Sequence, residues 1–211
     1  MKKSVIFKIF LLSILFFLFI YITATSYVST TFNNIFNNTF RLHIVANSNS
    51  VEDQNLKLKV RDAVLEYLNS QNFPYYNKKV INNFLETHTN DIYNVCLKTL
   101  NLYNCTMPIE LFIGESYFPT KNYNNISFPS GTYSCLKIKI GNSIGENWWC
   151  SLFPPLCFSN VASGTIEEKD SIILKENLPS EEYLLLSSDD DSIKLKFKII
   201  EIINSLKHSL S

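Results

Sequence analysis

The residue types able to do chemistry are few and scattered. His43, His88 and His208 lie far apart, and none sits at a metal-ligand spacing. His88 falls on the apolar stripe of a helical segment, where a satisfied core histidine is the expected state. His43 lies on a strand-like run, one alternation from Arg41. A catalytic role there would need a nucleophile, and no Gly-x-Ser-x-Gly elbow supplies one. A cysteine thiol working with His43 is the sharpest enzymatic reading. Glu52, Asp53 and Asp62 could be imagined as paired carboxylates, but acids at a helix start explain the first two without catalysis. Asp189-Asp190-Asp191 reads as a solvated turn, since no glutamate follows at EF-hand spacing. The residues therefore predict no enzyme, no metal and no cofactor.

The five cysteines are Cys96, Cys105, Cys135, Cys150 and Cys157. Outside the cell an odd count leaves at least one unpaired. Six residues with a double Pro separate Cys150 from Cys157. A disulfide closing that loop would contribute about 2.5 kcal/mol through chain entropy. Two free thiols among aromatics are the alternative, and spacing does not choose between them. The same stretch, Asn147-Trp148-Trp149-Cys150 to Pro154-Pro155-Leu156-Cys157-Phe158, holds both Trp of the chain and two of its seven Pro. Neighbours on a strand face opposite ways, so an extended segment turns one indole inward and the other outward. An aromatic beside rigid Pro is a common partner-binding anchor. A loop folded onto the core is the blander reading. Trp148, Trp149, Pro154 and Pro155 are the candidate contact residues, joined by His43 and Asn47 upstream.

The elements that must position these residues can be read coarsely. Arg41 to Ala46 is rich in β-formers, Asn47-Ser48-Asn49 is a turn cluster, and Ser50 with Asp53 resembles a capping box. A helix is expected from about Val51 to Leu68, burying Leu56, Val60, Ala63, Val64, Tyr67 and Leu68, with Asp53 and Lys57 on its exposed face. Asn77 can cap a second helix from about Lys78 to Leu102, with Val80, Ile81, Phe84, Leu85, His88, Ile92, Val95 and Cys96 as its stripe. Strands are expected at Pro108 to Ile113, closed by Gly114, and at Thr132 to Ile140. Tyr117 to Pro129 reads as a loop, with a turn at Asn124-Asn125. Ile193 to Leu206 fits a helix or a strand. The class is α+β: a small sheet with two or three helices packed on one face.

Composition narrows the role. Nineteen basic residues balance nineteen acidic ones, which disfavours general nucleic-acid binding. Five Gly leave little material for phosphate-cradling loops. Only two basic residues are Arg, Arg41 and Arg61, against abundant Lys, Asn and Ile, a pattern of AT-rich coding. Lys2, Lys3 and Lys8 precede or indent an apolar run to Ile22, eighteen residues long when counted from Val5. Ala24 and Ser26 are spaced as a cleavage site requires. Residues 1–26 are thus a signal peptide or an uncleaved signal anchor, and the remainder is extracytoplasmic. Residues 27–39 form a polar tether of low expected order. Membrane contact is expected only through the N-terminal segment.

The run Arg41-Leu42-His43-Ile44-Val45-Ala46-Asn47-Ser48-Asn49-Ser50, then Glu52-Asp53-Gln54 and Leu56 through Val64, resembles the opening of the stage II sporulation protein R family. The likeness returns at Tyr117 to Lys121, at Pro129 to Tyr133, and at Asn147 to Phe158, in the same order. Where the family often carries Asp, this chain has Asn49. The resemblance implies a family-like domain over residues 40–160, with residues 161–211 as a C-terminal extension to which nothing is carried over. It implies a secreted signal of endospore formation, made in the forespore and placed in the space between the two surrounding membranes, or anchored at the forespore membrane facing that space. Its implied partner is a membrane-embedded aspartic protease of the mother cell, which processes the precursor of the early mother-cell sigma factor.

Overall fold

A computed structural model describes residues 2–74, 78–123, 126–157, 172, 175, 176 and 178–187. The chain divides into two compact units, Met1–Ile35 and Phe36–Ser211. Helix α1 runs over Lys2–Asn37, and its Val5–Thr23 stretch is long and apolar enough to cross a membrane. The expected polar tether is helical as far as Asn37. No Gly or Pro occurs before Pro74 to interrupt it. The Thr30 hydroxyl donates back to the Ser26 carbonyl at 2.9 Å, so this side chain supports the turn it sits on.

The second unit is α+β. Strand β1 (Phe40–Val45) is followed by α2 (Val51–Ser70), α3 (Lys78–Thr87) and α4 (Thr89–Leu102). Then come β2 (Ile109–Phe118), β3 (Lys121–Tyr123), β4 (Ile126–Phe128), β5 (Gly131–Ile140), β6 (Asn147–Phe153) and α5 (Ser180–Ser187). Four strands form one mixed sheet in the order β2-β5-β1-β6, with β1 and β5 parallel and the other pairs antiparallel. A parallel pair needs a long crossover, which α2 to α4 and β2 provide. One sheet face presents Leu42, Ile44, Leu136, Ile138, Ile140, Cys150 and Leu152 to Leu56, Val60, Val64, Leu85, Ile92 and Cys96 of the helices. β3 and β4 make a separate hairpin.

Ser50 caps α2 as expected, its hydroxyl accepting from Asp53 N at 3.1 Å. The Asp53 carboxylate does not close a capping box. It accepts from Asn47 Nδ2 and from the Ser48 hydroxyl, and these bonds hold its pKa down. Lys57 is not on the exposed face: it is buried and donates to Gln54 Oε1 at 2.6 Å and to the Glu146 carbonyl at 3.1 Å. Burial lowers its pKa, with Glu146 opposing.

The expected single helix over 78–102 is two, separated at His88. Side chains there compete for helix carbonyls. His88 Nδ1 bonds the Phe84 carbonyl, Thr87 Oγ1 the Asn83 carbonyl, and Thr89 Oγ1 those of Leu85 and Glu86. His88 is half-buried and stacked on Phe84, while Val80, expected on the stripe, is exposed. Strand β2 does not stop at Gly114 but continues to Phe118. The Phe112 ring lies over Gly114, occupying the place a Cβ would take. The expected loop at 117–129 contains the end of β2 and the β3–β4 hairpin. The expected cap at Asn77, the Asn124-Asn125 turn, Phe158, the acidic run 189–191 and the segment 193–206 lie outside the described residues.

Candidate functional site

The site lies on the sheet face opposite the helices and along its β6 edge. Alternation on β1 sends Phe40, Leu42 and Ile44 into the helical core and Arg41 and His43 to the other face. Arg41 is wholly buried there. Its guanidinium carbon lies 4.8 Å from the Phe118 ring centroid, 5.0 Å from Phe128 and 5.1 Å from Tyr133. Nε donates to the Cys150 carbonyl at 2.9 Å, and one terminal nitrogen donates to the Tyr123 hydroxyl at 3.0 Å. The Tyr123 hydroxyl in turn donates to the Trp149 carbonyl at 3.0 Å. Among the described residues no carboxylate pairs with Arg41, and its other terminal nitrogen meets no acceptor. Aromatic faces and carbonyl dipoles carry the compensation that a buried cation requires. Burial also pushes the Tyr123 and Tyr133 phenols up, with Arg41 opposing.

Arg41 thereby ties the hairpin to β6 and sets the backbone of Trp149. The Trp149 ring stacks on His43 at 5.6 Å, and Lys121 Nζ lies 4.4 Å from the Trp149 centroid. His43 Nε2 meets Asn147 Oδ1 at 2.6 Å, and its ring also meets Phe118 at 5.7 Å. With the proton on Nε2 that bond is donated, and Nδ1 is left as a bare buried acceptor. Burial lowers the His43 pKa from 6.5 to about 4, the Asn147 bond opposing and Lys137, Arg41 and Lys139 assisting. His43 is therefore a neutral ring at pH 7.

The adjacent Trp residues are split by the pleat. Trp148 points to the helical side, where the Arg61 guanidinium sits 4.2 Å from its ring centroid, and packs against the core. Trp149 points to the other side. Both are half-buried, so neither stands out into solvent, and each carries a cation over its face. Both indole nitrogens are buried without a hydrogen-bond partner among the described residues. Cys150 and Cys157 are joined by a disulfide with Cα atoms 5.3 Å apart. It holds the 154–157 turn back on β6, where the Ser151 carbonyl accepts from Leu156 N and Cys157 N. Pro154 is buried and Pro155 half-buried.

Asn47 is engaged internally. Its side chain donates to Asp53 and accepts from Asn142 N at 2.9 Å, while Asn49 Oδ1 accepts from Glu146 N at 2.7 Å. These bonds fasten the 141–146 loop over the end of β1 as the chain crosses from β5 to β6. The loop approaches so closely that a Cβ at Gly145 would strike the Ser48 carbonyl. At Asn49 an Asp could accept the same bond.

The residues read from sequence thus divide. Trp149 and His43 are brought into one stack, Trp148 lies across the sheet from them, and Asn47, Pro154 and the disulfide brace the surroundings. Arg41, Arg61, Tyr123 and Lys121 were not legible as site residues. One signal pointed to them: in a chain that uses Lys almost throughout, both Arg stand where a planar guanidinium faces an aromatic ring. What read as coding bias is, at these two positions, chemistry.

This is an α+β domain carried behind an apolar N-terminal helix of the signal-peptide or membrane-anchor type. The profile of the family described as Stage II sporulation protein R matches residues 36–163, and the chain belongs to that family of sporulation proteins. Stage II sporulation protein R of Bacillus subtilis (strain 168) is 35% identical over 124 residues, covering 59% of this chain and 55% of that relative. The chain thus aligns with little more than half the relative's length. No solved structure matches it.

Proposed function

We propose that the chain is an exported intercompartmental signal of sporulation. It is made in the forespore and acts in the space between the two membranes, where it switches on a membrane-embedded aspartic protease of the mother cell. That protease then processes the precursor of the early mother-cell sigma factor. The observation that carries this reading is the family match across the whole sheet and its helices. The apolar helix at Val5–Thr23 supports delivery across or into a membrane, and the Cys150–Cys157 disulfide suits an oxidising compartment.

The chain acts as a ligand and not as an enzyme. His43 spends Nε2 on Asn147, the thiols of Cys96 and Cys135 are pushed up to about 12 by burial, and Cys150 and Cys157 are bonded to each other. Activation works by differential affinity: the signal shifts the protease toward its active state only as far as it binds that state more tightly. The contact surface centres on the accessible part of Trp149, with His43 buried behind it, Trp148 and Pro155 contributing from elsewhere along the β6 edge, and Asn47 and Pro154 holding the surface in shape.

The test is reconstitution in a cell that does not sporulate. The full chain, the protease and the sigma-factor precursor are co-expressed, and conversion of the precursor is read by immunoblot. Conversion should require all three proteins and should stop when the chain lacks residues 1–26. Conversion without the chain, or none with it, overturns the reading.

A further inference from the structure

The sheet register places Phe112 of β2, Lys137 of β5, His43 of β1 and Trp149 of β6 side by side, in one row across all four strands. The next row is Glu110, Lys139, Val45 and Asn147. Both lie on the face away from the helices. The row on the other side, with Arg41, is buried under the hairpin. In the first two rows Phe112, Glu110 and Asn147 are exposed and Lys137, Lys139 and Trp149 are half-buried, while His43 and Val45 of the central strand β1 are buried between them.

This face carries more positive than negative charge although the whole chain is balanced at nineteen against nineteen. Lys137 and Lys139 stand on it, Lys121 covers Trp149 at its margin, and Arg41 lies just beneath. Among the described residues Glu110 is the only carboxylate paired with any of these cations, at 3.0 Å from Lys139. The Trp149 indole N–H beside them is buried and meets no acceptor among the described residues. Phe112, 43% exposed and with the tip of its ring over Gly114, adds an apolar pad at the far end of the row.

We propose that this face docks an acidic segment of the receptor, with carboxylates over Lys121 and Lys137 and an apolar side chain over Phe112. The inference names the partner chemistry for the surface given above and rests on that reading. An acidic peptide is favoured over an anionic membrane because lipid-binding clusters carry four to eight basic residues close together, and three lysines on a sheet face fall short of that.

The experiment uses the full chain in neutral detergent, with decaglutamate, decalysine and phosphatidylglycerol vesicles as probes and tryptophan emission as readout. Decaglutamate should give saturable binding that fades as salt rises from about 0.1 M to about 1 M, where the screening length falls from about 10 Å to about 3 Å. The double variant Lys121→Glu/Lys137→Glu should bind at least about tenfold more weakly. Lys98→Glu, an exposed reversal on the helical layer, should bind as wild type. If the double reversal fails to fold, Lys121→Gln and Lys137→Gln, each checked by melting temperature, should each weaken binding about threefold. Equal binding of decalysine, or folded variants that bind like wild type, overturns the proposal. Vesicle binding without decaglutamate binding assigns the face to a membrane and overturns it too.

The reconstituted processing assay separates the two readings. No processing with wild type defeats the receptor reading and leaves the peptide result standing. Processing by the double reversal at the wild-type level defeats the docking inference and leaves the receptor reading intact.

Discussion

Arg41→Lys keeps the charge and removes the plane. Arg41 makes two charge-assisted hydrogen bonds, to the Cys150 carbonyl and the Tyr123 hydroxyl, from the middle of three aromatic rings. Bonds to a charged group are each worth about 1.5–3 kcal/mol. An ammonium can reach one of these acceptors but not both in the fixed fork of a guanidinium, and it is more strongly hydrated, so its burial costs more. The expected net loss is about 2–3 kcal/mol. For a unit of this size each kcal/mol moves the melting temperature by about 2–4 °C, so Arg41→Lys should melt about 5–10 °C lower. The assay is thermal unfolding of the full chain in detergent, followed by near-ultraviolet circular dichroism so that Trp149 and Tyr123 report locally. Arg41→Met serves as the comparison. It removes the buried cation altogether but leaves the Cys150 carbonyl without its side-chain donor, and it should lose about as much as Arg41→Lys. If Arg41→Lys melts within about 1 °C of wild type, the guanidinium is not the element that joins the hairpin to β6.

Four further outcomes follow from particular residues. Ser50→Ala removes the cap on α2 and should cost about 1 kcal/mol in urea unfolding. An unchanged midpoint would mean that the cap contributes nothing. Replacing Cys150 and Cys157 together by Ser should cost about 2.5 kcal/mol, read from the same transition. In the native wild type, alkylation followed by mass spectrometry should label half-buried Cys105 before buried Cys96 and Cys135. His43 has a folded pKa of about 4 against an ordinary 6.5, so the unfolded chain takes up the proton first as pH falls. Its contribution is complete above pH 6.5 and is lost progressively toward about pH 4, on the order of 2–3 kcal/mol. Urea midpoints at about pH 7.5 and about pH 4.5 measure it, and His43→Phe should flatten the difference.

What the sequence determined by itself is local or compositional. The start of α2 at Ser50, the strand character of 40–45 and 131–140, and the apolar N-terminal run depend on residues within a few positions of one another. Their physics is therefore written in order along the chain. The break at His88 was also local, but it rests on three side chains bonding back to carbonyls inside an unbroken apolar period, and periodicity does not see that competition. Tertiary structure decided the rest. That Lys57 is buried depends on the Glu146 carbonyl, 89 positions away. That Trp148 and Trp149 lie under different cations depends on α2 and β3 arriving on opposite faces of β6. Trp149 meets His43 only because β6 pairs with β1 in one register, and a shift of a single residue would put Trp148 there instead. Arg41, a plain strand residue in sequence, becomes the centre of the site because Tyr123, Phe128, Tyr133 and Cys150 all close on it from at least 82 positions downstream. Such an environment has no signature along the chain beyond the rarity of arginine, since it exists only when four separate strands have come together.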